Sequence, residues 1–457
     1  MFVYLLILLL ATIFPAKWIY QYFCNPINSL PGPRIHTIRP IDFTKNPSDL
    51  ILEWFKDYGH TYCWKLVAYK SVLVTIDPAI VKQVFTGKTR YINKMDVGLQ
   101  YITGHHGLLA NEDKEHNDQR SLFRSKFTKK SIKELIPEFQ VVVDRLIQRW
   151  NDKLNESDDG SITVDIKYEF TNLTLEVLCE LLLDYPINSI NDESDVTKDL
   201  YKTLTEYLNV FNKYNLLGYQ YIGKYVRYLP TITNIQYWRA RIVLTNLISS
   251  IMYNNISNGG NNKLIDIING NHGLSQIEIF DSILTIFLAG HETTASTLSW
   301  ILFELCRDPE HQERMRSNNT YQDHVVKETL RLHPPVPIIG RRTTNDLKIN
   351  EELTIPKDTD IIISTIAAHT CEDYWNNPLE FNPNRWEDIK INPYIYMPFL
   401  SGPRGCLGKR FALEEIHIAL RSILAEFEFS SNTVDCVTNK IDFTSKPDGL
   451  IVNITKL

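Results

Sequence analysis

Cys406 sits in the run Pro398-Phe399-Leu400-Ser401-Gly402-Pro403-Arg404-Gly405-Cys406-Leu407-Gly408, a single thiol in a stretch built to bend. Gly402, Gly405 and Gly408 mark positions where the backbone takes left-handed angles or is closely approached, and Pro403 stiffens the bend between them. From Lys409 to Glu426, apolar residues at Phe411, Leu413, Ile416, Ile418, Leu420, Ile423 and Leu424 are interleaved with charges, which predicts a helix beginning just after the cysteine. The sulfur then lies near a helix start, where backbone amides and the positive dipole end stabilise a thiolate. Three chemistries use such a group. Zinc wants further ligands at close spacing, and no Cys-x-x-Cys or His pair is nearby. A nucleophilic cysteine wants a base that only the fold can bring, whereas an axial haem ligand takes one thiolate alone. A buried cysteine in a glycine-rich turn is the plain alternative.

A second chemical stretch lies upstream. Ser275-Gln276-Ile277-Glu278 is a capping box, and it opens a predicted helix that runs to about Cys306 or Arg307, roughly 50 Å at 1.5 Å per residue. Its middle reads Phe287-Leu288-Ala289-Gly290-His291-Glu292-Thr293-Thr294. A glycine and two threonines weaken the helix there, and a hydroxyl can compete for a backbone carbonyl and open the ladder. A loosened helix beside a cofactor admits water or oxygen; for Glu292 alone, a solvated kink is the competing reading.

Phe399, Gly402, Arg404, Cys406 and Gly408, five fixed positions in ten residues, resemble the haem-binding loop of the cytochrome P-450 superfamily. The resemblance implies that Cys406 is the proximal iron ligand, that Phe399 packs beside it and that Arg404 reaches a haem propionate. Ala289-Gly290-x-Glu292-Thr293-Thr294 is similar to that family's oxygen-activation motif. There an alcohol, here Thr293, positions dioxygen and its water, and an acid, here Glu292, feeds protons from bulk, which complements the electron push of a thiolate. Glu328 and Arg331, three apart and followed by His333-Pro334-Pro335, resemble the Glu-x-x-Arg signature. Phe381-Asn382-Pro383-Asn384-Arg385-Trp386 resembles its partner, with Arg385 completing an ionic network, although Asn384 stands where the family usually has an acid. His116 and Arg120 resemble the propionate-binding helix, with histidine replacing the usual aromatic, and Arg341 matches another propionate arginine. Only some seventeen residues separate Arg307-Asp308-Pro309-Glu310 from the Glu328 helix, where the family usually has room for another short helix.

The elements that must hold these residues read as mainly α with a small β portion, an α+β fold. Thr61 to Ile76 reads as a hairpin and residues 130 to 255 as helices separated by polar loops at Asn155–Ser161 and Asn188–Asp195. Asn254 to Gly273 reads as a surface loop, Leu347 to Ile366 as strands, and the C-terminus as a hairpin around Pro447-Asp448-Gly449. A formal net charge of −6 argues against nucleic acid as the main partner. Seven scattered cysteines suggest a reducing compartment rather than a disulfide framework.

Phe2 to Ala16 is uncharged and apolar, roughly 23 Å as a helix against a hydrocarbon core of about 30 Å, and extension through Lys17 to Phe23 closes the gap. Trp18, Tyr20 and Tyr22 resemble an interfacial belt. The expected organisation is a membrane anchor at 1–23, a proline-rich joint at 24–34 and one catalytic domain at 35–457. The resemblance implies haem b (iron protoporphyrin IX) between the long central helix and the cysteine loop. It also implies a lipophilic substrate, NADPH-derived electrons from a separate flavoprotein reductase, cytochrome b5 as a candidate second donor, and an endoplasmic reticulum membrane with the domain facing the cytosol. No flavin or nicotinamide fingerprint lies in this chain. The basic residues Arg120, Arg124, Lys126, Lys129, Lys130, Lys133, Lys409 and Arg410 could form one face for an acidic redox partner. A haem-thiolate isomerase or dehydratase, and a haem sensor without turnover, are the alternative functions.

Overall fold

Alternating apolar runs in the first third of the chain pair with runs three hundred residues later to make a sheet. The computed structural model describes residues 25–33, 47–65, 71–86, 92–96, 98–191, 195–216, 228–258, 273–441 and 443–457. It divides into two compact units, the first made of Met1–Asp96, Pro337–Glu380 and Lys390–Gly405, the second of Val97–Val336, Phe381–Ile389 and Cys406–Leu457. The expected anchor at 1–23 lies outside the described residues; among those described, no helix is long and apolar enough to cross a membrane.

The first unit is organised on a five-stranded sheet in the order Thr61–Lys65, Ser71–Thr75, Asp360–Ser364, Ile338–Thr343, Ile92–Lys94. Thr61–Lys65 and Ser71–Thr75 form the expected hairpin, with Thr61 opposite Thr75. Asp360–Ser364 runs parallel to Ser71–Thr75 and is buried along its whole length, as the unbroken Ile361-Ile362-Ile363 run requires of a central strand. Its Asp360 is paired with Arg342 in the neighbouring strand. The strand ends two residues earlier than expected, because Ser364 caps a short helix, Thr365–His369, by accepting from the Ala367 amide. The joint runs beside the hairpin: the Cys63 amide donates to the Pro31 carbonyl at 2.8 Å, and any side chain at Gly32 would collide with the Cys63 carbonyl.

The second unit is built around the helix Gln276–Arg307, opened by the capping box of Ser275 and Glu278 as expected. It packs against Ile166–Val177, and the helices Lys129–Glu156 and Lys409–Glu426 pack against each other. Phe411 lies between Phe127 and Phe139, with ring centroids 6.2 and 4.8 Å away. Trp150, fully buried, meets Phe427 and Phe429 edge-on and donates its indole N–H to Glu169 at 3.0 Å.

Three local expectations change. Ser161–Asp165 is a strand, paired antiparallel with Ile451–Lys456, because its β-branched Ile162 and Thr163 find a partner almost three hundred residues away. Helix Ile232–Asn258 runs five residues into the expected surface loop, of which 259–272 lie outside the described residues. The strands around Pro447-Asp448-Gly449 do not pair with each other. Ser445–Asp448 pairs back onto Thr438–Ile441, whereas Ile451–Lys456 is the middle strand of a separate sheet, where Val452 and Ile454 are fully buried. Burial of those two side chains outweighs the local turn signal.

The glycines of the cysteine loop are not equivalent. Gly402 has φ +73°, and a Cβ there would strike the Phe85 carbonyl; Gly408, in contrast, has φ −81° with open space around it. Gly402→Ala should therefore lower stability by about 1–3 kcal/mol, and Gly408→Ala by far less, in urea unfolding followed by circular dichroism. Equal losses would remove the conformational argument.

Candidate active site

Cys406 precedes the helix Lys409–Glu426 by three residues. Burial pushes its thiol pKa up. Backbone N–H groups of Gly408 and Lys409 bonded to the sulfur, and the charges of Arg120 and Lys409, oppose that rise. Cys406 nevertheless retains open surface. A crowded yet accessible sulfur is set at a recess rather than on an open face, and its hydrogen-bond donors suit a thiolate once a metal takes the place of the proton. None of the six described cysteines is in a disulfide.

The long helix offers a second open surface. Between Asp281 and Leu302 every residue is buried except Ile286, Ala289, Gly290 and Thr293, spaced i, i+3, i+4, i+7 on one face. The open stripe coincides with the residues singled out from the sequence. Thr293 donates its hydroxyl to the Ala289 carbonyl at 2.9 Å, yet the helix is unbroken from Gln276 to Arg307, so the expected opening of the ladder is absent. Gly290 has a different reason to be glycine: a Cβ would press into Leu178, where the neighbouring helix Ile166–Val177 widens into a π turn at Leu178–Leu182.

Glu292 is buried and turned away from that stripe. Its Oε1 accepts from the Thr444 hydroxyl at 3.0 Å and lies 3.5 Å from the Lys446 ammonium. Burial would raise its pKa, but Lys446, Lys167, His291 and the Thr444 bond together hold it below the ordinary carboxyl value. His291 donates Nδ1–H to the Phe287 carbonyl at 2.6 Å, and burial lowers its pKa, so it is neutral. Thr444 and Lys446 were not legible as site residues, because they come from a C-terminal strand with no motif.

Glu328 and Arg331 are both fully buried on the helix Asn319–Leu332. The Glu328 carboxylate accepts from Arg331 at 2.8 and 2.9 Å, from Arg385 Nε at 2.8 Å, from the Asn382 amide at 2.9 Å and from the Trp386 indole at 3.0 Å. The segment Pro383–Trp386 is thereby fixed to the helix. Asn384, in place of an acid, accepts from Arg314 at 2.7 Å. The short connection is closed by one residue, Asn318, which ends the helix Glu310–Ser317 and caps the next by accepting from the Thr320 and Tyr321 amides.

The propionate candidates fall in both units. On the helix Asp113–Arg124, Arg120 is partly buried and acts electrostatically on Cys406, while His116, four residues earlier, is buried with Nδ1 3.4 Å from Asn117 Oδ1. In the first unit Arg341 is buried, bonds the Gly340 carbonyl at 2.9 Å and lies 5.7 Å from the centre of the Phe85 ring. Phe85 also supplies the carbonyl that Gly402 abuts, so Arg341 and the loop bearing Phe399 and Arg404 share one support. The loop is anchored at its start, where the Met397 amide donates to His369 Nε2 at 3.0 Å.

A metal-ready cysteine and a threonine-bearing open stripe in a mainly helical α+β fold fit a haem-thiolate oxidoreductase. A family profile, Cytochrome P450, matches residues 28–454, and the chain belongs to that family. It is 27% identical over 442 residues to Cytochrome P450 3A9 of Rattus norvegicus, covering 87% of this chain and 83% of that protein. With Probable cytochrome P450 4e1 of Drosophila melanogaster the identity is 24% over 414 residues, 82% of this chain and 76% of that protein. With Cytochrome P450 734A1 of Arabidopsis thaliana it is 26% over 452 residues, 90% and 84%. The protein is thus a monooxygenase of the haem-dependent type.

Two substitutions test the electrostatics. Glu328→Gln leaves two buried guanidiniums without their carboxylate and should cost about 3–5 kcal/mol in urea unfolding. Lys446→Met should invert the pH response of Glu292. In the native protein a lowered carboxyl pKa contributes stability at neutral pH that is lost as pH falls through that value. Without Lys446, burial dominates, the pKa rises, and acidification should stabilise this site; urea midpoints across the acid range that move in parallel for both proteins would refute the reading.

Proposed function

We propose that the protein inserts one atom of dioxygen into a lipophilic small molecule, by hydroxylation or epoxidation, using NADPH-derived electrons from a separate flavoprotein reductase, with cytochrome b5 as a second donor. The observation that carries this reading is the pairing of an open hydroxyl with a buried, ionised acid at successive positions. Thr293 keeps surface on the stripe, and Glu292 is held charged against Lys446 and Thr444. The intact Glu292/Thr293 pair argues against a rearranging or dehydrating enzyme, since dioxygen reduction must receive protons in order.

Haem b, when bound, supplies dioxygen activation at a thiolate-ligated iron. Cys406 would be its ligand; Arg120, Arg341, Arg404 and His116 would serve the propionates, and Phe399, Ala289 and Gly290 would serve the ring. The chain's own work is to offer the Gly408 and Lys409 amides to the sulfur, where they would hold a thiolate once iron replaced the thiol proton, and to hold a hydroxyl at Thr293 Oγ1 that can release its bond to Ala289. It also stores a carboxylate at Glu292 that can take a proton and turn from Lys446 toward the stripe.

Electron supply is supported by exposed Arg124, Lys129, Lys130, Lys133, Lys409 and Arg410, on helices that pack together through Phe411. Residues 1–23 are proposed as the anchor, 24–34 as the joint and 35–457 as the catalytic domain, on the cytosolic face of the endoplasmic reticulum. Membrane contact is supported by exposed Tyr228, Leu229, Ile232, Ile235, Trp238 and Ile242, an apolar surface at the start of the helix Ile232–Asn258. Tyr207 bonds the Ile102 carbonyl at 2.8 Å and stacks on Tyr237, and Tyr201 packs edge-on against Tyr168.

Haem-loaded protein incubated with lipid extract, reductase, NADPH and isotopically labelled dioxygen should yield a product carrying one labelled oxygen, read by mass spectrometry. Thr293→Val should cut product by about 10²-fold while NADPH oxidation continues. Product without NADPH would indicate an isomerase or dehydratase. NADPH consumption with no product from any extract would indicate a sensor.

A further inference from the structure

We propose that His60, Cys371 and Asp373 form a zinc site in the first unit, remote in sequence from the cysteine loop and independent of haem. Cys371 Sγ lies 3.5 Å and Asp373 Oδ2 2.8 Å from the same atom, His60 Nε2, and the three donor atoms all fall within 4.8 Å of one another. Thiolate, imidazole and carboxylate together select zinc over calcium or magnesium, with water completing a tetrahedron.

Convergence on one nitrogen separates this arrangement from a nucleophilic triad. In a triad the acid orients the histidine through one ring nitrogen while the other meets the thiol. Here both meet Nε2, and Nδ1 faces the Tyr374 hydroxyl at 3.2 Å, so no relay can form. The spacing suits coordination instead. Tetrahedral zinc with ordinary bond lengths places nitrogen and sulfur about 3.6 Å apart and nitrogen and oxygen about 3.4 Å apart. The first separation is already present. The second needs roughly half an ångström of opening, and the Asp373 side chain, 73% exposed, is free to give it.

Support for the ligand histidine also exists in both protonation forms. Without metal, Nε2–H donates to Asp373 and the Tyr374 hydroxyl donates to Nδ1. With zinc on Nε2, the proton moves to Nδ1 and is accepted by Tyr374, whose own proton turns to the Ile76 carbonyl at 3.3 Å. The thiol loses its proton to solvent as the zinc–sulfur bond forms. Both backbones are fixed: the His60 carbonyl accepts from the Ile76 amide at 2.9 Å, and the Cys371 carbonyl from the Tyr374 and Trp375 amides at 3.0 Å. Zinc would tie the end of the helix Pro47–Tyr58 to the segment after Thr365–His369, stabilising the unit by mass action.

The test uses the haem-loaded protein, stripped with a chelator and titrated with zinc ion alone against a chromophoric competitor. One zinc should bind, and absorption fine structure at the zinc edge should report one sulfur at about 2.3 Å, undisturbed by iron. Cys371→Ser should remove the sulfur shell, and Cys371→Ser and Asp373→Asn should each weaken binding at least tenfold. Because Asp373 lies on the surface, Asp373→Asn tests the site without a folding penalty, and an unchanged Soret band checks that. No stoichiometric zinc in the wild-type protein, or a sulfur shell that persists in Cys371→Ser, overturns the proposal.

Discussion

A thiol in crowded surroundings prefers to keep its proton, and the protein must work against that preference at Cys406. Burial raises the thiol pKa, while two backbone amides at a helix start and the charge of Arg120 pull it back. Burial wins, and the thiol keeps its proton until a metal cation replaces it. The second unit is arranged to serve this balance: the amides come from the first turn of the helix Lys409–Glu426, and that helix is fixed by Phe411 between Phe127 and Phe139. A loose helix start would deliver its dipole and its N–H groups in the wrong direction.

The same economy governs the buried carboxylates. Glu328 gathers five donors around one group, so its charge is compensated on every side and it can join a helix to the segment Pro383–Trp386. Breaking such a cluster costs far more than it gained on forming, because a lone buried charge has nowhere to be solvated. Glu292 is tied more lightly, to one hydroxyl and one ammonium at 3.5 Å. That difference separates a fixed structural ion from one that can change partners.

Much of this was legible in the sequence for a physical reason. The cysteine loop, the capped long helix and the Glu328–Arg331 pair are local patterns, set by spacing along a helix or turn, and each lies where its residues place it. What was not legible depends on distant chain segments meeting. Lys446 and Thr444 carry no motif, Ser161–Asp165 becomes a strand only through Ile451–Lys456, and His60 and Cys371 are 311 residues apart. Two local inferences failed. The long helix stays closed at Thr293 although its hydroxyl takes the expected carbonyl, and Gly408 needs neither a left-handed angle nor close approach.

Two buried acids, Glu292 on the long helix and Glu415 on the helix after Cys406, differ in charge for one physical reason. Glu415, on the helix after Cys406, is fully enclosed, and burial raises its pKa well above the ordinary value, so it is neutral. Glu292, two residues from Thr294, is held ionised by neighbouring lysines despite equal enclosure. Burial is common to both; the presence of a cation decides between them. The negative charge on this stretch of helix therefore resides at Glu292, and the neighbouring hydroxyl that can use it is the one left open at Thr293.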